Sequence, residues 1–365
     1  MLSFLIYWYN QPMDFTEFSA GADDDGRRLD RIIRRFIASE QLSGIYKAIR
    51  KGLVKVNGKK SSAEQHIHEK DIITIASFLL KQEDGAPFLQ DGGGTAEAAP
   101  YTFPYEILFH NEHILIINKP YGKTVHGAEN SIEKDVVKFY KTAFPERTSL
   151  SFTPGPLHRL DGRTTGILAF SWSLSGARWF SGAIASHAIQ KTYLGIAQGH
   201  LEKAECWRDF ISRNEPSEKR TGAFHTVSAR NERQSAQEKA FFSVLSPDAA
   251  ASVLPQEKLA VTNAFPVQYG SYKGKPVTLV KYVIETGRTH QIRSQSALHG
   301  IPLAGDTAYG GFPLPGNQQL FLHAISLSLP ADNPVGLPPE ITAPVPPEFK
   351  TFLSSSDCET GLLRL

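Results

Sequence analysis

Between Lys81 and Phe103 the chain loses all apolar periodicity and turns to Gly, Ala, Pro and Asp, with Asp91-Gly92-Gly93-Gly94 near its middle. Such a segment has little to bury and behaves as a tether between folded parts. It divides the 365 residues into two units, as expected where one core would grow too large. Hydrophobic residues make up 41% and charged residues 21%, so each unit can build a core and global disorder is excluded. The expected organisation is a tail over 1–14, a small unit over 15–80, the linker over 81–103, a large unit over 104–352 and a tail over 353–365.

Cys206 and Cys358 stand far apart, without a CxxC or Cys/His cluster. Neither a disulfide framework nor a structural zinc site is expected, and a reducing cytoplasm suits the chain. The opening MLSFLIYWY is apolar, but it lacks a basic leader and is too short to span a bilayer. It is not read as a signal peptide, and Met13 marks an alternative start. A soluble chain with no membrane partner is expected.

The net charge of +2 conceals an uneven distribution. From Arg27 to Lys60 there are eleven Lys/Arg (Arg27, Arg28, Arg31, Arg34, Arg35, Lys47, Arg50, Lys51, Lys55, Lys59, Lys60) against Asp30 and Glu40. A field of that sign attracts a polyanion, because neutralised phosphates release counterions. Leu29, Ile32, Ile33, Phe36 and Ile37 recur at helical spacing and predict a helix with one apolar stripe. Asp23 to Asp25 precede it, where acids favour a helix start. A second helix is predicted over Ser43–Lys51, with Ile45, Ala48 and Ile49 inward and Gly52 as its stop. Leu53 to Val56 then meets Asn57-Gly58, a hairpin signal, and Asp71 to Ile75 reads as a closing strand.

RRLDRIIRRFI, IYKAIRKGLVKVNGKK and EKDIITI resemble the S-four-type RNA-binding domain. The resemblance implies a small α/β module that holds structured RNA, with Arg27, Arg28, Arg31, Lys47, Arg50 and Lys51 as the contacting cations. The competing reading is a solvated charged surface.

The larger unit alternates β-type runs with short helical patterns: Ile114 to Ile117, Gly166 to Phe170, Thr192 to Ala197, Val277 to Ile284 and Phe321 to Leu329. No regular βαβ rhythm and no GxGxxG after a strand is present, which argues for an α+β fold with a mixed sheet. The polar stretch from Glu202 to Pro276 is expected to carry surface insertions.

Pro156 to Gly166 (PLHRLDGRTTG) sets a cation, a carboxylate and hydroxyls beside two glycines, immediately before an apolar strand. Catalytic groups concentrate on loops of this kind, where a carboxylate serves as nucleophile or base. Taken alone, Asp161 beside Gly162 reads first as a turn aspartate. Tyr193, alternating with Leu194 and Ile196, reads as a packed aromatic, and Arg293 as a structural ion-pair partner. His158, His290 and His299 read as structural or RNA-facing.

HRLDGRTTG resembles the HRLD-x-x-T-S-G signature of the RluA-type family of pseudouridine synthases. Four further segments agree in order: Asn118-Lys119-Pro120 with Gly122 and His126; Lys191-Thr192-Tyr193; Gly287 to Arg293 (GRTHQIR); and Pro302 to Asp306 with Tyr309-Gly310. The resemblance implies a pseudouridine synthase fold with a mixed, largely antiparallel sheet. It also implies isomerisation of uridine to pseudouridine in RNA, with Asp161 as the catalytic aspartate. Arg159 then matches the arginine that contacts the RNA from which the target is flipped, Tyr193 the ring that stacks on the base, and Arg293 the cation paired with the aspartate. Flipping needs an aromatic platform and a group for the vacated space, and a fixed guanidinium favours the ionised carboxylate.

The sequence departs from the pattern at Thr165, where Ser is usual, and at Ser294 and Gln295, which replace an apolar residue and a histidine and are expected to alter the local contact surface. No cofactor is expected, since substrate and product hold the same atoms. Large-subunit ribosomal RNA is preferred over transfer RNA as partner, and a cytoplasmic monomer is expected. The competing classes are a non-catalytic RNA-binding assembly protein and a glycoside hydrolase. The latter needs a second facing carboxylate, and none stands out.

Overall fold

The computed structural model describes residues 14–37, 42–80, 101–144, 149–213, 227–231, 258–314 and 320–355. The expected linker up to residue 100, and nearly all of both expected tails, lie outside the described residues. Two compact units are present. The first takes in the chain up to Phe103 with Asp135–Gly155 and Trp172–Ser175; the second holds Pro104–Lys134, Pro156–Ser171 and the chain from Gly176. No helix among the described residues is long and apolar enough to cross a membrane.

In the first unit, β1 (Phe15–Ser19), β2 (Arg27–Arg28) and α1 (Leu29–Ile33) precede α2 (Leu42–Arg50), followed by β3 (Val54–Val56), β4 (Lys59–Lys60), β5 (His66–Ile67) and β6 (Ile72–Ala76). The sheet runs β1-β6-β3-β4, and β2 pairs with β5. The predicted stripe of Leu29, Ile32, Ile33, Phe36 and Ile37 is buried throughout. The helix carrying it stops early at Ile33, because Ile37 is drawn into a bridge with Leu80. Asn57 and Gly58 take φ of 49° and 73°, the left-handed pair that a two-residue hairpin requires. The expected role of the acids as a helix start is corrected. Asp24 is fully buried and accepts the Leu150 and Ser151 amides at 2.8 and 2.9 Å. The strand β1 carries no strong alternation and was not expected.

The second unit contains β7 (Glu106–His110), β8 (Ile114–Lys119), β9 (Thr165–Ser171), β10 (Gln190–Gln198), β11 (Glu205–Arg213), β12 (Val227–Asn231), β13 (Lys258–Tyr272), β14 (Lys275–Ile284), β15 (Leu322–Ser328) and β16 (Glu340–Thr342). The helices of this part of the chain are α3 (Ile132–Ala143), α4 (Leu174–Ala185), α5 (Gln291–Leu298) and α6 (Pro347–Ser355). Among the described residues the strands form one sheet in the order β12-β11-β13-β14-β10-β15-β9-β8-β7, with β16 beside β15. Its pairs are antiparallel except β15 with β9, so the largely antiparallel α+β architecture holds.

Part of the expected insertion is sheet instead. β11 and β13 lie within Glu202 to Pro276 and pair with each other, and Trp207 is buried. Residues 214–226 and 232–257 of that stretch lie outside the described residues.

Leu194 and Ile196 of β10 join Phe349 and Phe352 of α6 in one apolar cluster. By the period of two, Tyr193 faces the other side of the sheet. There it lies opposite Tyr282 in register, whose hydroxyl accepts from Ser296 of α5 at 3.2 Å. Gly166 opens β9 at φ +105°, and a Cβ there would come within 2.2 Å of the Ala324 carbonyl oxygen. Only glycine lets the two parallel strands meet at that point.

Candidate active site

The loop from Pro156 to Thr164 is folded back onto β9. Leu157 donates its amide to the Ala169 carbonyl at 2.8 Å, and the Ala169 amide donates to His158 Nε2 at 3.1 Å. His158 therefore accepts, and burial together with the nearby Lys191 charge lowers its pKa to about 3. A turn from Asp161 to Thr164 follows, closed by the Thr164 amide on the Asp161 carbonyl at 3.0 Å.

Lys119, at the end of β8, holds this turn from beneath. Its ammonium donates to the carbonyls of Pro120 at 3.0 Å, Gly162 at 3.0 Å and Thr164 at 2.9 Å. The side chain is buried, and desolvation lowers its pKa to about 8 against the pull of Asp161. Three carbonyls match the three donors of an ammonium, so the loop is pinned by a group that has no better partner. Thr165 adds a second tie through a 2.8 Å hydrogen bond between its hydroxyl and Nδ1 of the fully buried His323. The hydroxyl is what this position uses, which explains why Thr stands in for Ser here.

Asp161 retains 27% side-chain exposure and faces two nitrogens: Arg293 Nη1 and His290 Nε2, each 3.5 Å from Oδ2. The stronger partner of Arg293 is Asp306. Nε and Nη2 donate to the Asp306 carboxylate at 2.7 and 2.8 Å, a two-pronged bond that is buried on both sides. Burial opposes the guanidinium charge, yet Asp306 outweighs it and the Arg293 pKa is raised. The expected pairing of Arg293 with Asp161 thus becomes a longer contact from the one nitrogen left over. The Tyr309 ring lies 4.9 Å from the Arg293 Cζ, and its hydroxyl hydrogen-bonds His290 Nδ1 at 2.8 Å.

Tyr193 is 7% exposed, and burial, then the Asp161 charge, raises its pKa. Lys191, two residues earlier on β10, has its pKa lowered by burial. Arg159 is exposed, two residues before Asp161. Asp161 and Arg293 are therefore brought together, while Tyr193 is buried on β10 and Arg159 is exposed on the loop that carries Asp161.

Lys119, His290, Asp306 and Tyr309 were not singled out as site residues by sequence reasoning. Lys119 left a signal, since a lysine directly ends the apolar run Ile114 to Ile117 and Asn118. Asp306 read as a turn residue and Tyr309 as packing. The expected contact surface at Ser294 and Gln295 is corrected, because both are buried. Gln295 accepts the Thr262 hydroxyl at 2.6 Å and donates to Asp209 at 2.7 Å.

Of the six cations expected in the first unit, Arg31, Lys47, Arg50 and Lys51 are exposed. Arg28 is committed to Asp30 through bonds of 3.2 and 2.8 Å, and Arg27 donates to the Ser151 carbonyl at 3.3 Å. Lys47, Arg50, Tyr46, Ser61 and Ser62 border a groove of about 740 Å³.

A partly exposed carboxylate that faces a guanidinium and an imidazole on a mixed sheet is an arrangement suited to catalysis. Residues 113–298 match the RNA pseudouridylate synthase family model, and the chain belongs to that family: it is an isomerase that forms pseudouridine in RNA. Among curated relatives, ribosomal large subunit pseudouridine synthase C of Escherichia coli O6:H1 is 27% identical over 317 residues, covering 84% of this chain and 86% of that one. The protein of the same name from Pasteurella multocida is 27% identical over 341 residues, covering 91% of each. The solved human RNA pseudouridylate synthase domain containing 1 has the same fold, with a TM-score of 0.51, 23% identity and coverage of 72% of this chain and 92% of that one.

Proposed function

We propose that the chain converts uridines of large-subunit ribosomal RNA to pseudouridine, with Asp161 as the catalytic carboxylate, Tyr193 as the platform for the flipped base and Arg293 as the cation that faces and orients Asp161. The observation that carries the reading is the fixing of Asp161. Its loop is clamped by Lys119, and its carboxylate faces Arg293 and His290 at 3.5 Å while remaining open to substrate. A turn aspartate needs none of this. The choice of ribosomal RNA rests on relatives of matching length that carry that substrate in their names.

Working on a base inside a stem or loop requires its extrusion from the stack. Arg159, exposed on the same loop, suits the space the base leaves. The bond from ribose carbon 1′ to uracil N1 breaks, the base turns, and carbon 1′ bonds carbon 5; carbon 5 loses its hydrogen as a proton and N1 takes one up, so substrate and product hold the same atoms. Positioning supplies most of the acceleration in such a unimolecular rearrangement.

The first unit, over 15–80, is the RNA-holding module in this reading, with Arg31, Lys47, Arg50 and Lys51 as its contacts and Arg27 and Arg28 serving mainly to order it. A monomer in the cytoplasm, where ribosomal RNA is made and modified, completes the reading. Tritium release from RNA labelled at carbon 5 of uracil tests the proposal. Release from unmodified large-subunit ribosomal RNA and not from transfer RNA is expected; release from transfer RNA alone would overturn the substrate assignment.

A further inference from the structure

We infer that His290, oriented by Tyr309, is a positioning residue that supplies a neutral N–H to Asp161. The inference rests on the reading of Asp161 as the catalytic carboxylate. His290 Nε2 faces Asp161 Oδ2 at 3.5 Å, while Nδ1 is bonded to the Tyr309 hydroxyl at 2.8 Å. An ionised carboxylate only accepts, so the nitrogen facing it carries the proton. In the neutral ring Nδ1 is then the acceptor, and the Tyr309 O–H is its donor. One hydroxyl thereby selects the tautomer, as the second hydrogen bond of a functional imidazole commonly does.

The backbone points the same way. His290 sits at φ 54°, ψ 25° immediately before α5, in the left-handed region that side-chain-bearing residues rarely adopt. The surroundings hold it there: the Ser294 amide and hydroxyl donate to the His290 carbonyl at 2.9 and 3.0 Å. The Tyr309 ring is edge-on to His290 at 89° and also covers the Arg293 guanidinium. Tyr309 therefore sets both nitrogens that face Asp161.

A neutral donor has a purpose here. Arg293 commits its fork to Asp306 and turns one further N–H toward Asp161, so a neutral His290 adds a second donor without adding charge. The charged groups facing His290 are Asp161 from the loop before β9, Arg159 from the same loop, Arg293 from α5 and Asp306 from the turn after it. Burial, against the pull of Asp161, lowers its pKa.

The experiment is steady-state tritium release against pH for His290→Ala, His290→Gln and Tyr309→Phe in the full chain, with Asp161→Ala alongside and melting curves for each. His290→Ala is expected to lower kcat at least tenfold with KM for RNA within twofold. His290→Gln, whose amide restores an N–H, is expected to recover part of that loss. Tyr309→Phe removes the donor to Nδ1, favours protonation, and is expected to move the acid limb of the kcat profile to higher pH. A dead Asp161→Ala with His290→Ala within twofold of normal, or a Tyr309→Phe profile superimposed on the normal one, overturns the role of His290 alone. An active Asp161→Ala overturns the underlying reading instead. Should His290→Ala fail to fold, the Tyr309→Phe profile decides.

Discussion

Replacing Arg293 by lysine keeps the charge and removes the fork. In the present structure Nε and Nη2 hold Asp306 at 2.7 and 2.8 Å, and Nη1 is left facing Asp161 at 3.5 Å. A lysine ammonium is a point donor on a flexible stem, so it can satisfy Asp306 with one strong bond and cannot at the same time present a fixed nitrogen to Asp161. The loss of one charge-assisted bond costs about 2 kcal/mol, equivalent to a fall in Tm of roughly 4–8 °C for a domain of this size. The lost orientation at Asp161 has a similar magnitude in the transition state, which translates into a drop in kcat of about ten- to a hundredfold. Arg293→Met is more severe, because it strands the fully buried Asp306 without a partner, at about 3–5 kcal/mol. Thermal melts and single-turnover tritium release measure both effects. Arg293→Lys with normal Tm and turnover within twofold of normal would refute the reasoning, since the planar fork would then be dispensable.

Lys119→Met removes the donor to the Pro120 and Thr164 carbonyls, whereas the Gly162 carbonyl keeps the Gly122 amide at 2.9 Å; a net loss of about 2 kcal/mol and at least tenfold in kcat with little change in KM is expected, and unchanged kinetics contradict the clamp. Thr165→Ser is expected to be nearly silent and Thr165→Val to lose activity and stability together, because only the former keeps the bond to His323; equal behaviour in urea melts would contradict that bond's role. Burial lowers the His323 pKa to about 4, below the ordinary 6.5, so between these values the unfolded chain binds more protons than the folded one. The corresponding stability is present above about pH 6.5 and is lost as pH falls toward 4, an order of about 3 kcal/mol in all. His323→Gln is expected to flatten the pH dependence of urea unfolding by that amount, and an unchanged dependence contradicts it. Combined Lys47→Ala, Arg50→Ala and Lys51→Ala is expected to weaken RNA binding and lower its salt slope by up to about three counterions; an unaltered slope in filter binding argues against contact there.

Much of the scaffold was legible because it is local. The apolar stripe of α1, the Asn57-Gly58 hairpin and the apolar β-type runs of β8, β9, β10, β14 and β15 all follow from local pattern or turn chemistry. The strands β11 and β13 were obscured by polar residues such as Asp209, whose burial depends on Gln295 and His299 from another element. Asp161 stood out only through its motif. Its surroundings were hidden because each partner is satisfied from a distance: Lys119 by carbonyls up to 45 residues away, Arg293 by Asp306 thirteen residues on, and His290 by Tyr309 nineteen residues on. No local pattern announces that a turn aspartate will receive a buried guanidinium, or that a left-handed histidine will share a carboxylate with it.

Release of tritium from ribosomal RNA labelled at carbon 5 of uracil, by the normal protein and by Asp161→Ala, tests the central claim most directly. Carbon 5 gives up its hydrogen only when the base has been rejoined there. The account predicts release by the normal protein and none by the variant, with RNA binding retained in both. Release by the variant at a comparable rate would contradict it, since the chemistry would then reside elsewhere than in the carboxylate held between Arg293 and His290.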